Sequence, residues 1–83
     1  MMKTMNNKQQ EKPMHFSYNR LWKLLIDREL KKQDLQKISN VSAASMAKMK
    51  RCENVTTDVL LRICNALDCQ IEDIMERVPD RQT

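Results

Sequence analysis

The chain has 83 residues, a net charge of +4, 41% hydrophobic and 4% aromatic content. That length implies one domain, near the lower limit for folding without staples, with a core of Leu, Ile, Val and Met. The absence of glycine argues against Gly-rich phosphate loops, and three cysteines with no CxxC pair argue against a disulfide framework or a zinc site.

No apolar run approaches the ~20 residues that span a bilayer. The N-terminus, MMKTMNNKQQEKP, lacks the apolar stretch of a secretory signal. A cytoplasmic protein with reduced, partly buried thiols and no membrane partner is expected. Residues 1–16 read as a flexible N-terminal arm, residues 17–77 as the folded domain and residues 78–83 as a C-terminal tail.

Ser17 is a plausible N-cap for a first helix from Tyr18 to about Glu29. Tyr18, Leu21, Trp22 and Leu25 fall at i, i+3, i+4, i+7, an inward stripe. Leu24 and Ile26 add apolar character outside it, which hints at a partner surface. A second helix follows from Lys32 to Ser39, with Leu35 and Ile38 facing inward. Asn40 and Val41 make a corner, and Ser42 can cap the third helix, Ala43 to Arg51. There Met46 and Met49 share a buried face, while Ala44, Ala47, Lys48 and Arg51 stand opposite. Small residues flanked by cations suit close approach to a phosphate-lined groove.

Beyond the loop 52–55, Thr56 can cap a fourth helix, and Asp58 in its first turn suits the helix dipole. Leu60, Ile63, Cys64 and Leu67 form its apolar stripe, with Cys64 acting as a small hydrophobe. Asp68-Cys69-Gln70 breaks that helix. Ile71, Ile74 and Met75 suggest a short fifth helix, and Pro79 ends the ordered pattern. Every segment has helical period and none alternates like a strand. The expected fold is therefore all-α, a compact domain of five short helices.

Charge is unevenly distributed. Residues 31–51 carry six basic residues and one acidic, whereas residues 52–77 carry two basic and six acidic. The positive end of this dipole is the second and third helices, the footprint of a surface that meets a polyanion. Among those cations, Lys31, Lys32, Lys50 and Arg51 are the candidates for phosphate.

The ordered pattern resembles the Cro/CI repressor-type helix-turn-helix family, also called the xenobiotic response element family. The residues that carry the resemblance run from about Ser17 to Glu76. They are Tyr18-Asn19-Arg20-Leu21-Trp22-Lys23-Leu24-Leu25, Asp34-Leu35, Asn40-Val41-Ser42, Leu60 to Leu67 and Ile71-Glu72-Asp73-Ile74. The resemblance implies that helix 2 lies on the phosphate backbone and helix 3 (43–51) enters the major groove of double-stranded DNA. It implies base contacts from Ala43, Ala44, Ala47 and Lys48, and phosphate contacts from Lys32, where the family usually has Gln, and from Ser42. Lys50 stands where Glu is common. Asn40 takes the place of the family's turn glycine, and Asn is the side chain that best tolerates φ > 0.

Three alanines at reading positions offer methyl contacts only, so Lys48 is the one candidate for a guanine contact. The expected function is a DNA-binding transcriptional regulator acting as a homodimer, with repressor the family's usual role. The competing expectation is a protein–protein interaction module that keeps the fold but binds DNA weakly or without specificity. The alanines and the extra apolar Leu24 and Ile26 motivate it. No catalytic residues, cofactor, metal or small-molecule ligand are expected; His15 is the only histidine and lies at the edge of the arm.

Overall fold

The computed structural model describes residues 13–80. Four helices run in order: α1 (Asn19–Asp27), α2 (Lys32–Ser39), α3 (Ala43–Lys50) and α4 (Thr57–Leu67). A strand, β1 (Met14–Ser17), precedes them, and a 3-10 turn (Ile71–Asp73) and a second strand, β2 (Glu76–Pro79), follow. The molecule is mostly helical, but two features differ from an all-α, five-helix domain. The expected fifth helix is a single 3-10 turn, and the chain then straightens to pair with β1 in an antiparallel sheet. Register sets Met14 opposite Pro79 and Ser17 opposite Glu76. Met14, His15 and Phe16, expected in the arm, are thus strand residues, as are Val78 of the expected tail and Pro79, which pairs with Met14 instead of ending the ordered pattern as expected. Residues 1–12 and 81–83 of that arm and tail lie outside the described residues.

The helices start and stop for local reasons. The Ser17 hydroxyl accepts from the Asn19 N–H at 3.3 Å, so it serves the first turn from one residue further out than an N-cap; Tyr18 occupies the cap position. Ser42 caps α3 by accepting from the Ser45 N–H at 3.1 Å, and Thr56 caps α4 through the Val59 N–H at 3.2 Å. At the head of α2 the Asp34 carboxylate accepts from the Lys31 N–H at 2.9 Å, placing negative charge at the positive end of the dipole.

Each of the four helices ends beside a left-handed residue, and none of these is glycine: Glu29, Asn40, Cys52 and Asp68 have φ of 58°, 58°, 59° and 51°. After α1 the Glu29 N–H reaches the Ile26 carbonyl at 3.0 Å and the Leu30 N–H the Leu25 carbonyl at 2.8 Å. After α3 the Cys52 N–H reaches Met49 at 3.1 Å and the Glu53 N–H reaches Lys48 at 2.8 Å. Both are Schellman endings, which satisfy the last helical carbonyls while reversing the chain.

The core gathers Tyr18, Leu21, Leu25, Leu35, Val41, Met46, Met49, Ile63, Leu67 and Ile74. Trp22, Leu24, Leu60 and Cys64 are partly buried against it. Ile38 does not face inward: it is 54% exposed. Ser39, one residue on, holds the buried position instead, its hydroxyl donating to the Leu35 carbonyl at 2.6 Å. On an eight-residue helix the buried stripe is narrow, and i+4 from Leu35 fell inside it where i+3 did not. No helix of the described residues is long and apolar enough to cross a membrane.

Candidate nucleic-acid interface

The α2–α3 pair is built as a helix-turn-helix. Asn40 turns the corner at φ 58°, ψ 37°, the left-handed geometry a glycine would supply. Val41 is buried in the corner, and Arg62 of α4 braces it by donating to the Asn40 carbonyl at 3.2 Å. Asp58 orients Arg62 from one turn earlier, Nε to Oδ2 at 2.8 Å. Met46 and Met49, 3% and 0% exposed, anchor α3 from below. The opposite face of α3 is therefore held at a fixed angle to α2.

On that outward surface Ala43, Ala44, Lys48 and Lys50 are exposed, and Ala47 is half-buried at its edge. Lys31 and Lys32 are exposed at the head of α2. Among the described residues no ion pair ties Lys31, Lys32, Lys48 or Lys50 to a carboxylate. These four ammonium groups are available to an anion. The Lys32 ammonium lies over the Trp22 ring, 4.6 Å from its centroid. This cation–π contact holds a flexible side chain beside the start of α2.

Two expected phosphate contacts are engaged within the chain. The Ser42 hydroxyl, besides capping α3, donates to the Ser45 hydroxyl at 3.2 Å. Arg51 forms a two-pronged pair with Glu53, Nε to Oε2 at 2.8 Å and Nη2 to Oε1 at 3.2 Å. Hydrogen bonding and charge from Arg51, with a contribution from Lys48, hold the Glu53 carboxyl below its usual range. The same pairing raises Arg51 further.

The sequence does not single out Glu53, Trp22 as a lysine platform, Arg62 as the brace, or the bond made by the hydroxyl of Tyr18, whose inward position it does indicate. The Tyr18 hydroxyl donates to the Glu53 carbonyl at 3.0 Å, fixing the loop after α3 to the core. Its own acidity is weakened, chiefly by burial. Only Arg62 left a signal, as an i, i+4 partner of Asp58; the others depend on where the chain folds back.

His15 is not an isolated surface residue. Its Nδ1 lies 2.8 Å from Asp80 Oδ1 across the end of the sheet. No hydrogen bond joins the pair to a serine or cysteine among the described residues. Nor do the described residues bring three or more His, Cys, Asp or Glu side chains together to hold a metal ion. An open groove of about 830 Å³, lined by Leu60, Leu61, Cys64, Cys69 and Ile71 among others, involves neither α2 nor α3.

The profile of the Cro/C1-type HTH DNA-binding domain matches residues 20–80. The fold is similar to a crystal structure of the transcriptional regulator VanUg, with a TM-score of 0.80 and 45% sequence identity over 92% of this chain and 100% of that one. A comparison with curated proteins returns no match.

Proposed function

Since the chain belongs to the Cro/C1-type HTH DNA-binding domain family, we propose that it is a DNA-binding transcriptional regulator that reads duplex DNA with α3. In this reading α3 enters the major groove and α2 crosses the phosphate backbone. The observation that carries it is the outward face of the pair. Alanines 43 and 44 leave room for the groove wall, and Lys31, Lys32, Lys48 and Lys50 stand around them with no carboxylate partner among the described residues.

The roles divide by position. Lys48, one turn beyond Ala44, is the base-contacting residue, with guanine O6 or N7 as its acceptor. Ala43, Ala44 and Ala47 contribute methyl contacts and close approach. Lys31, Lys32, Lys50 and Ser42 meet phosphates; Ser42 does so by redirecting the hydroxyl proton now given to Ser45. Arg51 completes the set once it leaves Glu53. Phosphate contacts dominate affinity, so binding weakens steeply with salt. The similarity to the transcriptional regulator VanUg supports the regulatory role.

A second copy belongs to this reading, because sites read by this motif carry two-fold symmetry. Ile26 on α1 is 73% exposed and Ile71 on the 3-10 turn 45%; these are the apolar positions from which a homodimer contact would be sought. The test is duplex affinity against salt for wild type, Lys32→Ala and Lys48→Ala. Lys32→Ala should weaken every sequence and flatten the log–log salt slope by ~0.9, the value of one phosphate contact. Lys48→Ala should relax preference at one base pair, worth ~1–3 kcal/mol. Wild-type binding that is absent or indifferent to salt would end the proposal.

A further inference from the structure

Arg51 and Glu53 are too exposed for their pair to be a structural staple: their side chains are 58% and 49% exposed. Surface ion pairs of that kind contribute little to folding. Yet Glu53 is placed with care. The left-handed Cys52 folds the chain back immediately after α3. The Glu53 N–H is then fixed to the Lys48 carbonyl at 2.8 Å, and its own carbonyl receives the buried Tyr18 hydroxyl at 3.0 Å. With its backbone held at both ends, the side chain offers two oxygens to Nε and Nη2 of the Arg51 guanidinium, the geometry a phosphate would offer. Among the described residues, no carboxylate pairs with the Lys31, Lys32, Lys48 or Lys50 ammonium on this surface. The acidic group at the end of α3 is aimed at the strongest phosphate-binding side chain there.

We infer that Glu53 is a specificity-determining residue: its carboxylate stands in for a DNA phosphate and keeps Arg51 from gripping duplexes on which α3 is not fully seated. The inference rests on the reading of α3 as the DNA-contacting helix. On a loosely docked, non-specific duplex Arg51 stays with Glu53, and one phosphate contact is forgone. Only a duplex that seats α3 brings a phosphate close enough to exchange with the carboxylate. The effect is to lower non-specific affinity more than specific affinity, a repulsive element built against wrong partners.

The test measures binding of a random-sequence duplex by Glu53→Gln, Arg51→Ala and the double variant, with thermal unfolding to verify the fold. Glutamine keeps the shape and one acceptor but removes the charge. Glu53→Gln should bind the random duplex about 5–10-fold more tightly near 0.1 M salt, and its salt slope should steepen by ~0.9, one added phosphate contact. Adding Arg51→Ala to Glu53→Gln should cancel the gain in affinity and in slope, as expected of two coupled residues. If wild type binds with the usual salt dependence and Glu53→Gln leaves affinity and slope unchanged, this inference falls alone. The same holds if adding Arg51→Ala to Glu53→Gln leaves the gain intact. If neither wild type nor variant binds DNA, it falls together with the DNA-reading proposal.

Discussion

Glu29, Asn40, Cys52 and Asp68 occupy left-handed positions that most proteins give to glycine. A side chain there costs roughly 1–2 kcal/mol, less for Asn and Asp, whose short polar groups bond locally. Glycine would relieve that cost but add ~0.5–1 kcal/mol of unfolded-state entropy. The balance favours glycine most at Glu29, which has a long side chain and an exposed site. Glu29→Gly should stabilise the protein by ~0.5–1 kcal/mol, a rise of about 3–6 °C in unfolding midpoint. A lower midpoint would show that Glu29 makes a compensating contact. Trp22 permits a second residue-level test, because it is the sole tryptophan. With the Lys32 ammonium over its ring, its fluorescence should change when duplex DNA binds and draws the lysine to phosphate. Lys32→Ala should abolish most of that change, whereas a response that survives the substitution would mean that the lysine stays on the ring.

The elements differ in how openly the sequence declares them. The bounds of α2 are those the sequence suggests, because Asp34 near its start and Asn40 at its end are strong local signals. The buried faces of α1, α3 and α4 were visible as apolar spacing, which Leu21, Leu25, Met46, Met49, Ile63 and Leu67 bear out. The strands were hidden. Each is four residues long and its partner lies some 60 residues away, so neither shows a period of its own. Arg51 looked free because its partner sits beyond the helix end, brought back by a turn that Cys52 makes without glycine. The turn after α4 holds another tertiary effect. Cys64 and Cys69 meet where the Cys69 N–H bonds the Cys64 carbonyl at 3.1 Å. Burial, reinforced by Cys64 and Asp73, pushes the Cys69 thiol up to about 11, and burial raises Cys64 as well. A thiol that holds its proton more tightly when folded contributes stability below the unfolded thiol range, ~8.5, and loses it as pH climbs toward 11. The urea midpoint should therefore fall between about pH 8.5 and 11, and less so in Cys69→Ala; equal falls would remove the thiol as the cause.

Across the whole molecule, charge and shape separate two ends. The α2–α3 stretch holds six basic residues against one acidic, and the half that follows holds six acidic against two basic. The small sheet ties the ends of the described chain together, with Asp80 N–H bonding the Pro13 carbonyl at 3.1 Å and Arg20 binding both the Glu72 carbonyl and the Glu76 carboxylate. This closure fixes α4 and the 3-10 turn behind the helix-turn-helix. The strand pairing arises from that closure, the place of the Glu53 carboxylate from the Cys52 turn, and the Lys32–Trp22 contact from α2 lying against α1, and none of these shows as a period along the chain. What could be read was the scaffold and its charged face, because helix spacing and basic residues are local properties.

The central proposal is that α3 reads duplex DNA through Lys48. Selecting bound duplexes from a random pool, at one stated salt concentration and with wild type beside Lys48→Ala, measures this. Wild type should enrich a two-fold symmetric site, and Lys48→Ala should lose preference at one base pair in each half while keeping the rest. A pool that shows no enrichment, or a site unchanged by Lys48→Ala, would contradict the assignment of α3 as the reading helix and of Lys48 as its base contact.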